Sequence, residues 1–258
     1  MNKILNSLMA ALLVSALSAC STAPSGSEGL RSKRIADANI QLGVAYMREG
    51  DMDTALVKLQ KALDENPDSA TANGTIAILY SRIGEDQLAE KHFKIAQRLS
   101  PDDPQTHNNY GQYLCGRGDY TRALEQFNAA ASDPLYPGVP AALTNAGICV
   151  GNIPDAKQAE DYFRKALDHD QSYTPALLQM ANLMYTQANY LAARGYIQRF
   201  EGVSKPNAES LWLGVRIESA LGDMSASGNY AMQLVNNFPE TKQAQSLREW
   251  ENDHRRRQ

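Results

Sequence analysis

The sequence predicts an all-α chain built from six copies of a two-helix unit, and three observations carry that reading. Alanines recur at Ala55, Ala89, Ala123, Ala159, Ala193 and Ala226, at spacings of 34, 34, 36, 34 and 33 residues. Each is preceded by another small residue, at Gly43, Ala77, Gly111, Gly147, Ala181 and Gly214, and followed by a larger one, at Leu59, Phe93, Phe127, Phe163, Ile197 and Tyr230. Turn signals fall between the two small positions, at Gly50-Asp51, Gly84-Glu85, Gly118-Asp119 and Gly222-Asp223. A period in the thirties with small and large side chains in register marks stacked helix pairs: small residues let backbones approach, and larger ones fill the space beside them.

In chain order, residues 1–19 read as a leader. Residues 20–35, rich in serine, glycine and charge, are expected to form a flexible tether. Repeat one covers 36–69, with Gly43 on its first helix, Ala55 and Leu59 on its second, and Pro67 as the stop. Repeat two, 70–103, ends at Pro101 in the same way, and repeat three, 104–139, ends in the longer "SDPLYPGVP" connection. Repeat four, 140–173, has Gln171 where a proline is usual, and repeat five, 174–206, has Phe200 where a small residue is usual. Repeat six, 207–239, closes at Pro239. Residues 240–258 are expected to form a capping helix and a basic tail, with Leu247 and Trp250 three apart on one face, because a stack of repeats needs a lid on its last core surface.

These units resemble the tetratricopeptide repeat. The resemblance implies a right-handed superhelical solenoid whose first helices line a concave, partner-binding surface. Taking the second, fifth, ninth and twelfth positions of each repeat as groove positions, repeat one offers Asp37, Ile40, Val44 and Met47, and repeat two offers Thr71, Gly74, Ile78 and Ser81. Repeat three offers Gln105, Asn108, Gln112 and Cys115. The expected docking residues are Ile40, Val44, Met47, Ile78, Asn108 and Gln112, with the apolar end beside the tether. Packing of the repeat-one residues against the linker or a neighbouring helix is the competing expectation.

Three cysteines are present. Cys115 and Cys149 stand one repeat apart near the ends of neighbouring first helices, so a disulfide between them is favoured over two buried thiols; no histidine is placed to activate either as a nucleophile. Cys20 differs. Lys3, an apolar run to Leu17, and Leu17-Ser18-Ala19-Cys20 have the layout of a secretory signal, and a cysteine directly after Leu-Ser-Ala looks like a bacterial lipobox. That resemblance implies cleavage before Cys20 and a covalent lipid on it. Ser21 stands where an aspartate is the usual inner-membrane retention signal, so the expected location is the periplasmic face of the outer membrane, with the protein anchored by its lipid.

Composition argues against several functions. Twenty-five basic against 29 acidic residues provide no field for a polyphosphate, so nucleic acid is a poor partner, and His254-Arg255-Arg256-Arg257 reads as a solvated tail. The four histidines share no metal-ligand spacing, and no HExxH, phosphate-binding glycine loop or GxSxG turn occurs. Neither an enzyme, a cofactor, a metal nor a small-molecule substrate is expected.

The lipobox, the repeats, and the strings "ADANIQLGVAYMREGDMDTALVKLQKALDENP", "HNNYGQYLC" and "LTNAGIC" together resemble the PilF/PilW family of type IV pilus biogenesis and stability lipoproteins. The resemblance strengthens the Cys115–Cys149 pairing. It also implies a pilotin-like role, in which the lipoprotein binds the pilus secretin and helps it reach the outer membrane and multimerise. A different envelope adaptor, such as a scaffold for cell-wall enzymes, shares the lipobox and the repeats and is the alternative.

Overall fold

The computed structural model describes residues 26–151 and 156–257, and the described residues form helices and no strands. The helices pair as α1 (Gly26–Glu49) with α2 (Met52–Glu65), α3 (Ala70–Arg82) with α4 (Asp86–Leu99), and α5 (Pro104–Gly116) with α6 (Tyr120–Ala131). Then come α7 (Val139–Val150) with α8 (Ala156–His169), α9 (Thr174–Thr186) with α10 (Tyr190–Val203), α11 (Ala208–Ala220) with α12 (Met224–Asn237), and a terminal α13 (Lys242–Arg257).

The leader, Cys20 and residues 21–25 lie outside the described residues. The expected tether is corrected at its C-terminal end, where residues 26–35 are the first turns of α1. Serine and glycine content suggested coil, but from Leu30 to Ile35 the segment holds helix-compatible side chains and no proline, and the Asn39 amide donates back to the Ile35 carbonyl at 2.8 Å.

The recurring Gly-Asp pair has a local cause. Gly50, Gly118 and Gly222 sit at φ of 85°, 79° and 79°, the left-handed region that ends a helix, and the next residue caps the following one. Asp51, Asp119 and Asp223 each accept from the backbone N–H three residues on, an arrangement that contributes about 1 kcal/mol per helix. Repeat five makes the same turn with Ala188 at φ 58° and Asn189 as the cap.

The small and large positions meet as the period requires. A Cβ placed on Gly111 would lie 2.7 Å from Phe127 Cε1, one on Gly147 2.5 Å from Phe163 Cε1, and one on Gly214 2.8 Å from Tyr230 Cδ1. Phe127 is therefore fully buried against the first helix of its own pair, Phe93 is buried with its ring against Tyr110 and Tyr113 of α5, and one core runs from Met47 in repeat one to Ile217 in repeat six. A separate core under the lid joins Leu211, Val215 and Leu234 to Ala244 and Leu247 of α13. Between α10 and α11, the buried Glu218 carboxylate accepts from Arg194 through Nε at 2.9 Å and through Nη2.

Each helix touches only helices of its own or adjacent repeats, which makes the fold a solenoid. First helices touch first helices along the whole series α1, α3, α5, α7, α9, α11 and α13. Among the described residues, second helices of successive repeats do not touch. The stack therefore curves with its first helices on the inside of the arc.

Candidate partner-binding groove

A stripe of side chains on the inner wall reaches solvent, and the structure shows which repeat positions supply it. The fifth position is buried in every repeat, as Ile40, Gly74, Asn108, Thr144, Leu178 and Leu211. The second position is exposed or half-exposed in every repeat, and the ninth is so in the first five. Residues two, six, nine and thirteen of a helix share one face, whereas residue five turns toward the next first helix.

This register corrects three of the expected docking residues. Ile40 packs with Ala36, Ala62, Ala72 and Leu63. Met47 belongs to the main core, and its carbonyl accepts from Arg82 Nη1 at 3.4 Å. Asn108 is buried and accepts from Asn145 Nδ2 at 3.0 Å, tying α5 to α7. Each of them stands at a fifth or twelfth position and is used to pack repeats together. Val44 and Ile78 are half-buried and Gln112 is exposed, all three at ninth positions facing the groove. Ile78 and Gln112 help to line a cavity of about 300 Å³ with Phe93, Asn109 and Tyr113, between α3 and α5.

Beyond that cavity the wall is rich in uncharged amides. Gln105 donates to Asn109 Oδ1 at 2.9 Å, and Asn145, Gln179 and Asn182 continue the series on α7 and α9. Amides both donate and accept, so such a stripe suits the backbone of an extended peptide. Asn109, Asn145 and Gln179 stand at sixth positions, outside the second, fifth, ninth and twelfth series taken from the sequence, and Asn182 stands at the ninth position of repeat five, beyond the three repeats to which that series was applied.

At the C-terminal end lies Arg216 on α11. Its guanidinium carbon stands 4.7 Å from the Tyr185 ring centroid and 5.7 Å from that of Trp212, and Trp212 packs edge-on to Trp250 of α13 at 6.5 Å. Nη2 donates to Asn182 Oδ1 at 3.4 Å, and Nε is buried without a hydrogen-bond partner. Burial lowers the pKa of this guanidinium from its usual value, only partly countered by Tyr185 and Glu209.

Cys115 and Cys149 are joined by a disulfide, with Cα atoms 5.8 Å apart, linking α5 to α7 on the inner wall. Among the described residues, no cluster of three or more His, Cys, Asp and Glu side chains is arranged to hold a metal ion.

The tetratricopeptide repeat family matches residues 46–113 and again 109–174. The type IV pilus assembly protein PilF of Pseudomonas aeruginosa is 32% identical over 203 residues, 79% of this chain and 81% of that one. The solved structure of P. aeruginosa PilF superposes with a TM-score of 0.72 at 30% identity, covering 84% of this chain and 98% of that one. The crystal structure of PilW, a widely conserved type IV pilus biogenesis factor, does so with a TM-score of 0.72 at 29% identity, covering 83% and 98%.

Proposed function

Because this chain belongs to the PilF/PilW family of tetratricopeptide-repeat proteins of type IV pilus biogenesis, scaffolds rather than enzymes, we propose that it acts as a pilotin-like lipoprotein for the pilus secretin. The observation that carries the proposal is the likeness to PilF over four-fifths of that protein's length, joined to a groove lined by first helices.

In this reading a lipid on Cys20 holds the solenoid at the periplasmic face of the outer membrane. Cys20 lies six residues before Gly26, which begins α1, so even a fully extended link keeps the first helix within about 20 Å of the lipidated residue. A secretin subunit held in the groove is thereby confined near the membrane, and its raised local concentration favours ring formation with no chemical step. Orientation follows too, since repeat one stands nearest the lipid.

The test pairs two measurements: capture of purified secretin subunits by the mature protein, and secretin multimers in cells that lack it or carry Cys20→Ala. Capture, with multimers lost from the outer membrane in both strains, is expected. Normal ring assembly without the protein overturns the role.

A further inference from the structure

Arg216 is an unusual residue for the inner wall of this groove. Among the described residues its one hydrogen bond is the long contact to Asn182, and it forms no ion pair with any carboxylate. Its Nε is the one buried side-chain nitrogen or oxygen in the described structure without a partner. A guanidinium stays charged at any physiological pH, and this one is half-buried with Glu209 acting on it only at a distance and not as an ion pair, so a ligand carboxylate would supply the close counter-charge that the site lacks. The two rings beside it restrict its orientation and shield part of it from water, which strengthens an anion contact made along its edge.

The surroundings say what kind of anion. Trp212 and Trp250 form a half-buried aromatic wall on one side, and Asn182 and Gln179 continue the amide stripe on the other. Tryptophan, tyrosine and arginine are the residues that dominate protein-partner interfaces, because they bury large areas and still make directed contacts. The inner wall continues past Arg216 in both directions, to α9 and to α13, so a bound chain runs through the site. A side-chain carboxylate therefore fits better than a chain end. Residues 1–25 of this protein contain no aspartate or glutamate, so its own leader and tether cannot supply the charge.

We infer that the C-terminal end of the groove recognises an acidic segment of the partner protein: Arg216, held between Tyr185 and Trp212, grips an aspartate or glutamate side chain while a flanking apolar residue packs on Trp212 and Trp250. The inference refines the scaffold reading above and rests on it for the partner's being a protein. It places a charge-specific anchor at the end of the solenoid remote from the lipid.

The chain contains two tryptophans, and both are in this site, so intrinsic fluorescence reports on it. The folded mature protein is titrated with an acetylated, amidated nonapeptide carrying one glutamate flanked by leucines, and with its glutamine counterpart. The glutamate peptide is expected to perturb the emission at a concentration at least about tenfold lower. Arg216→Gln removes that preference and Arg216→Lys retains part of it, with circular dichroism confirming that both variants stay helical. Equal response to the two peptides, no response up to about 5 mM, or a preference unchanged in Arg216→Gln overturns the site.

Capture of the purified secretin subunit by wild type and Arg216→Gln separates this inference from the role it refines. Capture weakened by the variant supports both. Undiminished capture by the variant keeps the role and removes this site from it, whereas no capture by wild type overturns the role while the peptide preference still decides the site.

Discussion

Cys115 and Cys149 are 34 residues apart in the chain and 5.8 Å apart at their Cα atoms, bonded across the contact between α5 and α7. The bond ties the first helices of repeats three and four where the longest inter-repeat connection has to be spanned. Closing a loop of this length stabilises by roughly 3 to 4 kcal/mol in the chain-entropy treatment. The double variant Cys115→Ser/Cys149→Ser should lower the thermal midpoint, and dithiothreitol should lower wild type by a similar amount while leaving the variant unmoved. Chemical denaturation with and without reductant measures this; a reductant-insensitive wild type contradicts it.

Glycines in this chain have opposite roles that a single substitution distinguishes. Gly111 faces Phe127 so closely that Gly111→Ala forces the ring aside, and overpacking of this kind costs about 1–3 kcal/mol against a smaller gain in helix propensity. Gly195 lies exposed within α10 with no atom within 4 Å of an added Cβ, so Gly195→Ala should stabilise by about 0.5–1 kcal/mol. Urea midpoints should move in opposite directions.

His92 makes the stack sensitive to mild acid. Burial lowers its pKa from the usual 6.5, with Lys91 adding repulsion, and the ring lies 2.9 Å through Nδ1 from Asn73 Oδ1. The unfolded chain thus binds the proton more tightly, so this contribution to stability is present above about pH 6.5 and is lost as the pH falls from there through the folded value. Melting temperature should decline between about pH 7 and pH 5.5, and His92→Gln should flatten that part of the profile.

Groove contacts and repeat packing should also separate by mutation. Ile40→Asp places a carboxylate among Ala36, Ala62 and Ala72 and should loosen repeat one by 2 kcal/mol or more on the order of buried polar insertions, visible as lost helicity. Gln105→Ala with Gln112→Ala alters only exposed groove-facing side chains and should leave the melting curve within about 0.5 kcal/mol of wild type while weakening secretin capture. Capture that survives the second pair moves the contact elsewhere on the wall.

The two-helix repeat was legible residue by residue, because Gly111 must be small for Phe127 to pack and Gly118 must adopt positive φ before Asp119 can cap. Those are local requirements written in the identity of single residues, and they recur with the period. The extent of α1 was not legible: a serine- and glycine-rich segment reads as coil, and only the structure extends the helix through it. Nor was the side of a first helix that faces the groove, since Ile40 and Val44 stand one turn apart and look alike in sequence.

The chain's own letters determined the helix pairs, their number and their order. Tertiary packing alone decided that fifth positions are spent on joining repeats, that ninth positions of the first five repeats face the groove, and that Arg216 lies against two rings without an ion pair. The physical reason is that burial along the inner wall depends on how each repeat is rotated against the next, a relation between residues some 34 positions apart that no local pattern encodes.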